Sequence, residues 1–202
     1  MKKTYSVEEI QKIEKKEFKR LKNSYVLMKR AGTNCAKKIY KSKMNRNFIV
    51  LCGPGNNGGD GLVISQFLKK LNRNVNLYCL RHNFYKGDAK KAYKKNKLIK
   101  NNFNKLEIYK NSIIVDCLFG IGLNRKINGI YKKIIKKVNK SKQYIISIDI
   151  PSGINGNTGE KMGEAIKANL TYALHAKKDG HTIGMGKKYS GKVKVVDIGI
   201  KE

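Results

Sequence analysis

Tryptophan is absent from the 202 residues, and proline occurs only twice. Acidic residues are scarce as well: 14 Asp and Glu stand against 45 Lys and Arg, a formal net charge of +31 at pH 7. Such a charge draws in polyanions, so nucleic acid, anionic membrane and phosphorylated small molecules all enter as partners. The lysines, however, are scattered along the whole chain, in pairs such as Lys15-Lys16, Lys90-Lys91 and Lys132-Lys133. A dedicated nucleic-acid face would gather basic residues and interleaved aromatics on one element. No segment does so. An AT-rich coding sequence gives the same excess of Lys, Asn and Ile with the same want of Trp and Pro, and nucleic acid is expected to bind only nonspecifically.

Paired cysteines are missing too. Cys35, Cys52, Cys79 and Cys117 form no CxxC, which excludes the usual zinc and thioredoxin patterns. Three of them sit inside apolar runs and read as small core residues in a reducing compartment. No apolar run is long enough for a membrane span, and Met1-Lys2-Lys3 has no apolar stretch behind it to make a signal peptide. A cytoplasmic protein is expected. No linker, low-complexity tail or repeat interrupts the chain, so residues 1–202 are read as one domain, with N-terminal helices over 6–40 and an α/β core over 48–200.

The apolar pattern that is present is informative. Ser6 and Glu9 have the spacing of a capping box, which starts a helix near Val7. Val7, Ile10, Ile13, Phe18 and Leu21 then approximate one helical face, and a second helix is expected over 25–40. From Phe48 the runs become continuous, as in strands buried on both faces: 48–52, 75–80, 113–119, 144–150, 170–174 and 193–198, with a shorter strand at 106–109. Helical segments are expected between them, from Leu62, over 88–100 and over 130–138. Strands alternating with helices predict an α/β fold, a three-layer αβα sandwich with a mostly parallel, Rossmann-like sheet. Right-handed crossovers put the C-terminal ends of the strands on one edge, where ligands bind. Three glycine-rich segments follow strong strands and would meet there: 53–61, 120–125 and 151–159.

Gly53-Pro-Gly55-Asn-Asn-Gly58 matches G-x-G-x-x-G between a strand and a helix, the setting of a dinucleotide fingerprint. A dehydrogenase would place an acidic residue about 20 residues further on, for the ribose. The second strand ends instead in Arg81-His82, which leaves an NADP-dependent oxidoreductase open. Asp60 inside the glycine segment opposes a phosphate and suits a cation, a sugar hydroxyl or a reacting group.

Gly53-Pro-Gly-Asn-Asn-Gly-Gly-Asp-Gly61 resembles the signature of the YjeF N-terminal domain, the NAD(P)H-hydrate epimerases. Leu27-Met-Lys-Arg-Ala-Gly32, Asp116-Cys-Leu-Phe-Gly-Ile-Gly-Leu-Asn-Arg125, Ser147-Ile-Asp-Ile-Pro-Ser-Gly153, Thr158-Gly159 and the tail from Gly191 to Gly199 resemble further family segments in the same order. The resemblance implies an isomerase that interconverts the R and S hydrates of NADH and NADPH, and a bound potassium ion (K+). It implies that Asn56, Asn57, Gly58, Gly59 and Asp60 line the hydrate site. Asn57, Asp116 and Ser152 would hold potassium. Gly120, Ile121, Gly122, Leu123, Asn124, Arg125 and Lys126 would cradle the diphosphate. Asp149 would face the nicotinamide as acid and base, with Lys178 beside it. His175 and His181 lie near this edge and receive no role. Asp179 stands where the family commonly has proline. The chain stops at Glu202, so a separate dehydratase is expected downstream, and the N-terminal helices offer a face for a homodimer. The alternative is a non-catalytic module of the same fold that binds nucleotide or RNA.

Overall fold

The structure, a computed structural model, describes residues 4–41 and 46–201; the charged start Met1-Lys2-Lys3 lies outside them. Helix α1 (Val7–Leu21) begins where the capping box places it. The Ser6 hydroxyl accepts the Glu9 N–H at 3.1 Å, and the Glu9 carboxylate accepts the Ser6 N–H at 2.8 Å. Glu8 and Glu9 in the first turn and Lys19 and Arg20 in the last suit the helix dipole. Helix α2 (Tyr25–Lys41) follows.

Seven strands then form one parallel sheet: β1 (Asn47–Cys52), β2 (Val75–Cys79), β3 (Lys100–Asn101), β4 (Ser112–Cys117), β5 (Tyr144–Ile148), β6 (Leu170–Leu174) and β7 (Lys192–Val196). Their order across the sheet is β3-β2-β1-β4-β5-β6-β7. The winding reverses between β1 and β4. That switch point splays the crossover connections apart and opens a crevice at the strand ends. Side chains alternate across the sheet. Phe48, Val50 and Cys52 of β1 pack beneath α2, α3 (Asn56–Lys70) and α4 (Gly87–Lys95). Ile49 and Leu51 face the opposite layer, with Ile134, Ile135 and Val138 of α5 (Gly129–Lys140). A short α6 (Gly184–Tyr189) precedes β7.

Three expectations need correction. The helix after β1 starts at Asn56 and not at Leu62, so most of the glycine segment is helix rather than loop. Residues 106–109 are not a strand; the edge strand is Lys100–Asn101, paired with Leu77 and Tyr78. The Glu107 N–H there donates to the Tyr78 hydroxyl at 3.1 Å and so is spent on a side chain. The helix expected over 88–100 ends at Lys95. Buried Asn96 stops it by donating to the Leu62 carbonyl and the Ser65 hydroxyl and accepting the Leu98 N–H.

Cys52 sits in register with Cys79 on one neighbouring strand and Cys117 on the other. All three, with Cys35, are buried under the α2–α4 layer. Burial lifts the thiols of Cys35, Cys52 and Cys117 well above the usual range, and that of Cys79 to about 11. Titration of the native protein with a thiol reagent will therefore find none of the four. All four will react once denaturant is added; a thiol reactive in the native state would contradict the packing.

Candidate active site

A cleft of about 460 Å³ opens at the switch point, lined by Pro54–Asn57, Asp60, Leu118–Arg125, Asp149 and Leu174. The glycines explain why it forms there. A Cβ on Gly53 would sit 1.7 Å from the Leu118 carbonyl oxygen, and one on Gly58 would sit 1.8 Å from that of Gly53. A Cβ on Gly61 would lie 2.6 Å from the Cys52 sulfur and 2.7 Å from the Cys117 Cβ. Gly53 and Gly58 thus let the ends of β1 and β4 and the start of α3 meet backbone to backbone, and Gly61 seats α3 on the cysteine row. Gly59 packs against Met28. Of these segment glycines, Gly55 alone has open space around its Cα and is free to face a ligand. Gly58 and Gly59 shape the site from behind and do not line it.

Helix α3 presents Asn56, Asn57 and Asp60 from its first turns. Both polar atoms of the Asn57 amide are buried with no hydrogen-bond partner among the described residues. Burial, then the charges of Asp149 and Glu14, push the Asp60 carboxyl well above the usual carboxylate range.

Asp149 follows β5 in the left-handed region, at φ 69°, a strained setting that Asp tolerates better than most residues. Its Oδ1 takes a 2.5 Å hydrogen bond from the Lys178 ammonium. Its Oδ2 accepts the Ile121 N–H at 3.2 Å. Lys178 is 1% exposed and also donates to the Leu174 carbonyl at 2.8 Å. His181 fastens both residues from behind. Its Nδ1 accepts the Lys178 N–H at 2.9 Å, and its Nε2–H donates to the Asp149 carbonyl at 2.8 Å. That pattern fixes the neutral Nε2–H tautomer. Burial and then the Lys178 charge hold the His181 pKa down to about 4.

Asp116 is wholly buried behind the cleft. Its carboxylate accepts four hydrogen bonds: from the Ser152 hydroxyl at 2.6 Å, the Ser152 N–H at 2.9 Å, the Ser147 hydroxyl at 2.8 Å and the Leu118 N–H at 3.2 Å. Burial raises its pKa, and the bonds from Ser152, Ser147 and Leu118 oppose the rise. No cationic side chain pairs with it among the described residues. Gly120 to Arg125 edge the mouth, while Lys126 lies outside the lining, exposed. A Cβ on Gly120 would fall 2.9 Å from Asp149 Oδ2 and 3.3 Å from the Asn57 Cβ. This glycine therefore keeps the carboxylate open to the cleft.

The N-terminal helix supplies what the sequence did not announce. Glu14 and Gln11 of α1 reach the cleft. The inward stripe of α1 runs through Val7, Ile10, Glu14, Glu17 and Leu21. Buried Glu17 is held by Arg20 through two bonds of 2.6 and 2.7 Å. Tyr5 pairs with the stretch of chain around Lys178: its N–H donates to the Lys177 carbonyl, and its carbonyl accepts the Asp179 N–H, both at 2.9 Å. A proline at 179 could not make the second bond. Asn157, in the third glycine segment, accepts the Val7 N–H at 2.6 Å and holds the start of α1. The signals were a glutamate spaced into an apolar stripe and, for His181, its position three residues after Lys178.

A doubly wound parallel sheet with a buried Asp149–Lys178 pair on the cleft at its switch point defines a small-molecule α/β enzyme. Residues 24–180 match the family described as YjeF-related protein N-terminus, and the chain belongs to it. It is 39% identical to the NAD(P)H-hydrate epimerase of Lentilactobacillus buchneri, an alignment covering 88% of this chain and 85% of that one. It is 35% identical to the enzyme of the same name from Elusimicrobium minutum, over 87% and 85%. The bifunctional NAD(P)H-hydrate repair enzyme Nnr of Dictyoglomus turgidum is 36% identical, with 96% of this chain covering 40% of that protein. The crystal structure of the yeast protein ynu0 superposes with a TM-score of 0.76 at 22% identity, over 96% of this chain and 87% of the yeast one, and shows the same fold.

Proposed function

We infer that this chain is an NAD(P)H-hydrate epimerase, an isomerase that interconverts the R and S hydrates of NADH and NADPH. The observation that carries the reading is the Asp149–Lys178 pair on the wall of the switch-point cleft, in a chain 34–39% identical to proteins of that name. The hydroxyl-bearing ring carbon inverts only if protons move, by loss and return of water or by opening of the ring. Asp149 lies on the cleft wall with one oxygen bonded to Lys178 and the other to the Ile121 N–H, and it is the group that accepts a proton first. Lys178 holds that carboxylate in place and keeps water from its far side. Asn56, Asn57 and Asp60 bind the hydrate, and the chain from Gly120 to Arg125 receives the diphosphate. No described helix is long and apolar enough to cross a membrane. Four free cysteines fit a reducing cytoplasm. The product passes to a dehydratase, in keeping with the bifunctional relatives.

Potassium fits this site on two observations: the Asn57 amide has no partner, and the buried Asp116 carboxylate has no cation, among the described residues. Asn57, Asp116 and Ser152 would hold it, as hard oxygen donors suit a hard cation. Bound there, it would neutralise Asp116 and tie three loops together.

Two measurements test these readings. Purified R hydrate incubated with the protein in KCl will equilibrate with S, followed by chromatography, far faster than in buffer. A folded protein with potassium present that only matches the blank would sink the epimerase. Replacing KCl by tetramethylammonium chloride at equal ionic strength will lower the melting midpoint of the wild type and leave that of Asn57→Ala unchanged. A ligand at 100 times its Kd stabilises by about 2.7 kcal/mol, which a melting curve resolves. Equal midpoints in both salts for the wild type would remove potassium from the site.

A further inference from the structure

We infer that Glu14, on helix α1, is a second proton-transfer group of the epimerase and works as a pair with Asp149. This rests on the epimerase reading and adds a residue to it.

The two carboxylates enter the cleft from different elements, Glu14 from the N-terminal helix and Asp149 from the end of β5. Glu14 also lines a smaller cavity of about 70 Å³ beneath α1, which it shares with Asn56, Asp60 and Leu174 of the main cleft. Its place on the inward stripe of α1 is one an apolar residue would fill. A glutamate there without a counter-charge costs stability, and its neighbour Glu17 on the same stripe shows how such a cost is ordinarily met, by an arginine clamp. Glu14 has no hydrogen bond or ion pair among the described residues.

The groups that face it come from every element around it. Asp60 approaches from α3, Asp149 from the end of β5, Lys178 from beyond β6, and Asp88 of α4 lines the small cavity. Asp88 is already bonded to Lys91 and Ser24. That leaves three carboxylates and one ammonium, and the ammonium is bonded to Asp149. Three negative charges crowd one positive charge in a half-closed cleft, so the Glu14 and Asp60 carboxyls are both pushed above the usual range. Asp60 is almost fully buried, and burial ahead of the Asp149 charge pushes its carboxyl well above the usual range. Glu14 is half-buried at the cleft, and burial with the Asp149 charge places its pKa at about 7. It is therefore present in both forms at neutral pH, as a group that both gives and takes a proton should be.

The chemistry balances in either route. If water is lost, Glu14 gives its proton to the hydroxyl oxygen as the C–O bond breaks and the ring nitrogen lone pair fills in. A water then adds from the other face, and its proton goes to Asp149. If the ring opens, the hydroxyl proton goes to Asp149 while the C–N bond breaks and Glu14 protonates the nitrogen. In each case the carboxylate pair holds one proton before and after, and return of that proton to Glu14 resets the site. The same singly protonated pair serves both directions.

The test compares wild type, Glu14→Gln and Glu14→Asp on both hydrates, across pH, with melting curves for each. Glu14→Gln will melt like wild type and keep KM within a few-fold, while kcat falls about 10²–10⁴-fold in both directions. Wild-type kcat will fall as pH rises past about 7, because the pair loses its shared proton. That limb will be absent from the residual activity of Glu14→Gln, and Glu14→Asp will restore much of the rate and the limb. A Glu14→Gln enzyme with wild-type kcat, or with the alkaline limb unchanged, would overturn the role of Glu14 and leave the epimerase intact. A wild type inactive on both hydrates would overturn the epimerase reading, and this role with it.

Discussion

Asp149→Asn reduces epimerisation by at least about 10²–10⁴-fold, the share a positioned acid–base group supplies, and it also loosens the fold. The two effects have one origin. Asn keeps the size of the side chain and accepts the left-handed φ of 69°. What it removes is the charge against Lys178, an ammonium only 1% exposed. Breaking a buried pair by deleting one partner costs about 3–5 kcal/mol, because the survivor is left charged and dry. Urea denaturation measures that loss beside the rate. The double variant Asp149→Asn with Lys178→Met separates the roles: it will regain much of the stability, since no charge is stranded, and none of the activity. A stable single variant would mean that Lys178 is not held by Asp149. An active one would mean that another group takes the proton.

Gly53→Ala yields no folded protein, whereas Gly55→Ala, two residues along the same motif, folds like the wild type. The methyl carbon added at position 53 would lie 1.7 Å from the Leu118 carbonyl oxygen. Relief would need the ends of β1 and β4 to part, which breaks the 2.9 Å bond from the Gly53 N–H to the Cys117 carbonyl. Costs beyond about 4–5 kcal/mol are exceptional for single substitutions, and a backbone-on-backbone clash at the centre of the sheet belongs among them. At Gly55 nothing lies within 4 Å of the added methyl. Soluble yield and circular dichroism decide the matter. Equal behaviour of the two variants would show that the glycines are kept for a ligand and not for packing.

The sheet was legible because its central strands are apolar on both faces and β1, β4 and β5 are each followed within five residues by glycine. The edge was not: Lys100–Asn101 has two residues, both polar, and carries no apolar signal of its own. Residues 106–109 looked more like a strand than the real one because Leu106 is buried for another reason, as part of the core beneath α5. Within the site, Asp116, Asp149 and Ser152 could be placed by following strands to their C-terminal ends. Glu14 and Tyr5 could not. They reach the site by the docking of α1, and nothing local to residues 5–14 says which face of the sheet that helix meets. Among the glycines, G-x-G-x-x-G was visible, but its three members do different work, two in close packing and one beside the ligand space, and that difference arises only when β4 comes to lie beside β1.

The pairing of Tyr5 with the chain around Lys178 sets a schedule for synthesis. Thr4 bonds to Asp179 across 175 residues. At ribosomal rates of about 5–20 residues per second, the first helix waits roughly 10–35 s for its seat to emerge. Throughout that interval its apolar stripe has no completed sheet to rest on, and the Lys178 ammonium does not yet exist to anchor Asp149. Catalytic competence therefore arrives late and at once, when the chain at Tyr5 pairs with the newly made stretch around Lys178. A chaperone that shelters α1 during that interval would raise the yield of active enzyme by guarding Gln11 and Glu14, which join the cleft only when the helix docks.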